Sequence, residues 1–468
     1  MENTSTQRSL FINQLTKFWR SYNAKIVLLL LISIFIAYAV FIALKTNSGI
    51  IPDEPAHFTF SMHYSTTWGI PPDVTETYSL GWYIYRNPFL FYWINGRIIN
   101  ILELLKPDIS QGQLFIVLRL VNVIYGLGTV IFCSFLSKEL IKDKWFSLLP
   151  IFLLTNTLMF VFLVGGVSYD NLANLFSMAG LFFFVRVLQK KSFIANSFGW
   201  TISIFAGTLV KFTILPLALI MSIIWVIYII KNTKEIFPIA FFYLRASLLG
   251  AILLIITFGN LAIYGYNLLF YQSITPNCRD ILSEKQCRLS PYSIRFEEMA
   301  LEQKLTINES IDLGYPDPIT YLLDSWFPNM LYRIFGILGQ LSYFPARFII
   351  LYRLLIYSAL FLLIRYWRRP HFTSISLAVV ILFYSAVLFY MNYDSELVYG
   401  FRQIAMQGRY FFPVIGITYV LFTKIIKLIP NTATRNIMLS FTLWLFLIGG
   451  PVKFIWFSES IFSGWFIK

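Results

Sequence analysis

Ile26-Val27-Leu28-Leu29-Leu30-Leu31-Ile32-Ser33-Ile34-Phe35-Ile36-Ala37-Tyr38-Ala39-Val40-Phe41-Ile42-Ala43-Leu44 carries no charge and is bracketed by Lys25 and Lys45. A helix rises about 1.5 Å per residue, so about 20 such residues cross the roughly 30 Å of bilayer hydrocarbon. Similar runs recur almost to Lys468, near 26–45, 113–136, 146–166, 171–188, 198–210, 213–230, 236–264, 346–366, 373–391, 410–428 and 437–457. Backbone groups in hydrocarbon must pair internally, and these runs lack the alternation of barrel strands. The expected fold is therefore an all-α polytopic membrane protein with about eleven transmembrane helices. At 57% hydrophobic and 13% charged residues, the chain lacks the polar surface of a soluble domain.

Basic clusters predict the orientation. The 1–25 tail, Lys138 to Lys144, Lys190 and Lys191, Lys231 and Lys234, Arg365 to Arg369, and Lys424 to Arg435 all fall on one side, which is expected to be cytoplasmic. Residues 26–468 read as one membrane domain, with an uncleaved first span and Lys468 outside. The formal charge of +14 sits in short connections, so it reads as topological rather than nucleic-acid-binding. Anionic membrane lipids or a phosphate-bearing lipid are its natural partners.

Two connections are long, 46–112 and 265–345, and both are expected outside. The first contains Asn87-Pro88-Phe89-Leu90-Phe91-Tyr92-Trp93-Ile94, which suits a helix lying in the membrane interface, placed to roof a site there. The second holds Cys278 and Cys287, expected to form a disulfide; two free thiols are the other reading. Cys133, within a span, reads as packing.

Ile51-Pro52-Asp53-Glu54-Pro55-Ala56-His57-Phe58 places two carboxylates and a histidine directly after the first span. Asp53 suits a helix N-cap, and an ionised cap is also able to serve as a general base. His57, four residues on, is expected to share its face. Other charged groups gather toward the same side: Asp170 in Gly165-Gly166-Val167-Ser168-Tyr169-Asp170-Asn171, Lys211 at a turn, and Arg409 beside Tyr410 in Gln407-Gly408-Arg409-Tyr410-Phe411-Phe412-Pro413. Each has a plain reading too: a turn or cap for Asp170, a snorkelling chain for Lys211, a helix-end anchor for Arg409. Arg119 lies inside the second span, where a lone charge costs roughly 2.5–3.5 kcal/mol, so a partner is expected. Asp53, Glu54 and Asp170 are a conceivable Mg or Mn set, whereas HExxH, GxxxxGK[ST] and GxGxxG patterns are absent.

This pattern resembles the GT-C superfamily of membrane glycosyltransferases, which includes protein mannosyltransferases and aminoarabinose transferases. It looks still more like the bacterial membrane family termed domain of unknown function 2142, through Pro52-Asp53-Glu54-Pro55-Ala56-His57-Phe58, Phe335-Gly336 and Gln407-Gly408-Arg409-Tyr410-Phe411-Phe412-Pro413. The chain departs from many GT-C proteins at Asn87-Pro88-Phe89-Leu90, where they carry a His-Pro-Pro-Leu-type sequence. The resemblance implies a bacterial inner-membrane enzyme with a catalytic Asp in the first outer loop. It implies an inverting transfer of a sugar from a polyprenyl-phosphate donor to an envelope glycan, lipid or protein. Asp53 matches the catalytic position, with Glu54 beside it, and Asp170 sits where several members carry a second acidic residue. His57, Arg119, Asp170, Lys211, Arg409 and Tyr410 are the expected substrate-binding residues. The alternatives are a transporter or flippase of lipid-linked saccharides, kept open by Arg119, Arg245 and Arg353, and a polymerase of such saccharides.

Overall fold

The computed structural model describes residues 2–69, 71–72, 74–81, 86–232, 246–367, 370–404, 406–461 and 464–467. Among them, ten helices are long and apolar enough to cross a membrane, and counting one bent helix pair as a single span gives eleven. The protein is an all-α polytopic membrane protein. Lys234, Arg245, the first part of the expected 236–264 span, Arg368, Arg369 and Lys468 lie outside the described residues.

The Tyr169–Leu188 helix is the centre of the bundle, packed by Gln111–Leu140, Phe193–Val210 and Phe412–Leu428. Small residues let these helices approach closely. A Cβ on Gly180 would lie 2.5 Å from Ile204, and one on Gly126 would lie 2.4 Å from Val164. The Leu248–Tyr271 helix is peripheral and turns Leu254, Ile255 and Phe258 outward.

Three spans differ from expectation. The 146–166 run is two helices, Phe146–Thr155 and Leu158–Val164, bent by 63°. At the break Asn156 Nδ2 donates to the Phe152 carbonyl at 2.8 Å, and the Thr157 hydroxyl to the Leu153 carbonyl at 2.8 Å. The Tyr419 hydroxyl lies 2.6 Å from Thr157, so side chains serve backbone groups that the bend releases. The expected 236–264 helix is described as a span over Leu248–Tyr271, running two turns further toward the second loop. The 373–391 run becomes Phe372–Tyr399, because the polar residues past its apolar stretch find partners. Glu396, which is buried, accepts the Gln403 N–H at 2.9 Å, and Trp326 Nε1 donates to Asn392 Oδ1 at 2.9 Å.

The long loops occupy one end of the bundle. After the first span, the Glu54–Ser65 helix packs along Leu90–Leu105, so the short helix expected at 87–94 is sixteen residues long, packed on one side and leaving Ile101, Leu104 and Leu105 exposed. Arg97 Nη2 donates to the Thr67 carbonyl at 2.6 Å, and Asn100 Nδ2 to the Ser65 carbonyl at 2.9 Å. Cys278 and Cys287 form a disulfide on which Tyr78 of the first loop packs, so one small cluster joins the two loops. A short hairpin, Ile337–Leu338 with Ser342–Tyr343, lies nearby. Thr46 pairs with Phe466, bringing the chain's last described residues to the same end.

Candidate functional site

Asp53 precedes the Glu54–Ser65 helix but does not cap it with its side chain, contrary to the N-cap expectation. Its backbone lies in the left-handed region at φ 58°, where Asp is more tolerable than most residues. That conformation turns the carboxylate to Arg409, 356 positions away, whose Nη2 donates to Oδ2. Asp53 remains half exposed, while Arg409 is only 4% exposed.

Arg409 is fixed by the chain on both sides. Gly408 lies directly on the Arg333 backbone, where a Cβ would come within 2.4 Å of a carbonyl carbon. Arg333 Nη1 in turn donates to the Met406 carbonyl. The short turn Gly408–Phe411 then feeds the Phe412–Leu428 helix, with Pro413 near its start. Arg409 Nε lies 3.6 Å from Asp170 Oδ2, and neither Nε nor Nη1 makes a hydrogen bond.

Asp170 opens the Tyr169–Leu188 helix behind Ser168, the residue that caps it, and accepts a bond from Lys211 Nζ. Lys211 is not a snorkelling chain. It is 3% exposed at the extended residue between two helices, and its ammonium lies 4.6 Å from the Tyr169 ring centroid and 4.2 Å from that of Tyr410. His57 is buried edge-on against Tyr169, with Nδ1 2.9 Å from the Tyr92 hydroxyl. Burial and the neighbouring cations hold its imidazole down at about 4, so it is neutral at physiological pH. For Asp53, partial burial alone would raise the carboxyl, but Arg409 and Lys211 outweigh it and the group stays below the usual carboxylate range.

Glu54 and Arg119 stand apart, and here geometry corrects the roles expected for them. Arg119 Nε and Nη2 donate to the two Glu54 oxygens at 2.8 and 2.6 Å. Its remaining donors reach the carbonyls of Ala43, Thr46 and Asn47, and the Val167 N–H closes on Glu54 at 3.0 Å. Both side chains are at most 2% exposed. This pair ties the end of the first span to the next helices and has little capacity left for a ligand.

A cavity of about 1130 Å³ opens over the site. Asp53, Arg409 and Tyr410 line its inner part, whereas Asp170, Lys211 and His57 do not reach its wall and stand behind them. The volume is slightly above the usual range for small-molecule sites. The lining also includes Asn277, Arg279 and Arg295 of the disulfide-bearing segment, and Asn392 and Ser395 on the extended end of Phe372–Tyr399. Sequence reading missed these wall residues. Gln407, also on the wall, lay within a quoted motif, whereas the hydroxyl partner Tyr92 had only its aromatic neighbourhood to mark it.

The proposed Mg or Mn ligands Asp53, Glu54 and Asp170 do not fit one ion. Each carboxylate is directed to a different basic side chain, and Glu54 faces away into its pair with Arg119. What the site presents is two carboxylates against two cations, with Arg409 and Asp53 on the cavity lining. That chemistry suits an anionic ligand next to a hydroxyl whose proton is removed. No known protein-family profile matches the chain, and no curated protein sequence matches it.

Proposed function

We propose that the protein is a GT-C-type glycosyltransferase that moves a sugar from a polyprenyl-phosphate carrier to an envelope acceptor at the outer face of a bacterial inner membrane. The observation that carries this reading is the meeting of Asp53 and Arg409 on one cavity wall, because the reaction needs a base and a phosphate-binding cation side by side. The acceptor oxygen bonds to the anomeric carbon from the face opposite the phosphate, with inversion. Its proton passes to Asp53, and the carbon–oxygen bond to phosphate breaks with its electron pair leaving on the polyprenyl phosphate. Arg409 receives that charge, while Asp170, itself bonded to Lys211, supports Arg409 from behind.

The transporter reading loses support from its intramembrane arginines. Arg119 is satisfied by Glu54, and Arg353 lies toward the bundle surface with its Nε on the Tyr357 hydroxyl at 3.0 Å. The direct test incubates the protein, reconstituted in vesicles, with radiolabelled polyprenyl-phosphate sugars and envelope acceptors. Label appearing in acceptor material with the parent and not with Asp53→Asn is the expected result. Export of intact lipid-linked sugar without transfer would replace the enzyme by a transporter.

A further inference from the structure

The resting site is charge-balanced: Asp53 and Asp170 face Arg409 and Lys211. A phosphate arriving at Arg409 upsets that balance, so one carboxylate must give way. The two carboxylates are not equally able to do so. Asp170 is buried, takes the lysine bond and adjoins its capping serine. Asp53 is half exposed, and its carboxylate accepts a hydrogen bond from Arg409. Arg409 is less free to move, being 4% exposed beside Asp170, with the backbone before it pressed onto that of Arg333 at Gly408. Nε and Nη1 of the guanidinium are buried, with Nε 3.6 Å from Asp170 Oδ2, so Nη2, the nitrogen that Asp53 holds, is the donor a ligand oxygen would take.

From this asymmetry we infer that Asp53 and the donor's phosphate compete for Arg409, and that phosphate binding releases Asp53 to act as the base. The inference rests on the glycosyltransferase reading for the identity of the anion. It adds a device: the carboxylate is locked while the site is empty and freed only when a phosphate has taken the arginine. An unlocked base without donor would stay screened from useful work, whereas a released one stands beside the bound sugar. Because the coupling is reciprocal, removing the carboxylate must tighten phosphate binding even though it stops transfer.

The test measures binding of farnesyl phosphate, a short polyprenyl monophosphate, to detergent-solubilised protein, with farnesol as the uncharged control. Asp53→Asn is the first variant, since Asn is at ease in the left-handed region. Asp53→Gly is the second, suited to the same backbone and lacking any side chain. Both are expected to bind farnesyl phosphate about 5-fold more tightly than the parent or better, the lower end of ordinary coupling. Adding Arg409→Ala to either should erase the gain. Equal or weaker binding by both single variants overturns the exchange while leaving a phosphate site intact. Failure of all forms to prefer farnesyl phosphate over farnesol overturns the exchange and the lipid-phosphate reading together. Inorganic phosphate forms a separate arm. If it binds as tightly as farnesyl phosphate and shows the same gain, the exchange stands but the anion is free phosphate rather than a lipid.

Discussion

Asp53 and Glu54 are chain neighbours, and each carboxylate binds an arginine, yet the two pairs are opposites. Glu54 and Arg119 are sealed, with carbonyls and a backbone N–H absorbing their spare bonding capacity. Asp53 and Arg409 are open, one partner half in solvent and the other with two nitrogens lacking hydrogen bonds. A buried pair with its hydrogen bonds complete is a strut, since removing one partner strands a charge. An incompletely bonded pair at a cavity is available for exchange. Adjacent acidic residues thus divide into architecture and chemistry according to which way the chain turns after the first span.

The comparison is broken most directly by exchanging each carboxylate for its amide. Asp53→Asn should lower transfer by about 10²–10⁴-fold with thermal unfolding close to parental. Glu54→Gln should do the reverse, destabilising the protein by about 3–5 kcal/mol through the stranded Arg119 charge, while whatever remains folded stays active. Paired turnover and unfolding measurements check both, and a dead but stable Glu54→Gln would reverse the assignment. Arg409→Lys keeps the charge but loses the planar fork, so donor affinity should fall by about tenfold, an energy near 1.4 kcal/mol. Titration with lipid phosphate reads this out, and parental affinity would reduce Arg409 to a helix-end anchor.

Smaller effects sharpen the picture at its edges. Cys278→Ser should loosen the cavity wall by about 2–3 kcal/mol, the value expected for closing so short a loop. Proteolysis within 272–300 under native conditions would register the change. His57 gives the subtlest signal. Its imidazole is held at about 4 in the fold against an ordinary 6.5, so the unfolded chain binds the extra proton first as pH falls. The contribution is fully present above about 6.5 and is lost as pH drops toward about 4. A melting series across that window should show a gentler acid decline for His57→Gln than for the parent.

Much of the architecture could be read from the chain because apolar runs of membrane length admit few alternatives. Lys211 and Arg409 stood out for a related reason: charges amid such runs need an explanation. Their partners could not be read. The 356-residue separation of Asp53 from Arg409 hides the pairing, and only the left-handed backbone at Asp53 distinguishes its direction from that of Glu54. Glu396 and Asn392 seemed to end a span because hydropathy counts a carboxylate as solvent-seeking. Tertiary bonds from Gln403 and Trp326 let the helix continue to Tyr399. The bend at Asn156–Thr157 escaped notice because neither residue is Pro or Gly, the usual markers of a break.

Gly408 brings no functional atom to the cavity, yet it leaves no room for one extra carbon over the Arg333 backbone. In a complete substitution scan this position should therefore tolerate no replacement, for a purely spatial reason. Restoring activity to Gly408→Ala would require the Arg333 segment to retreat, so compensating changes should cluster on the Phe327–Phe335 helix rather than around the bound ligand.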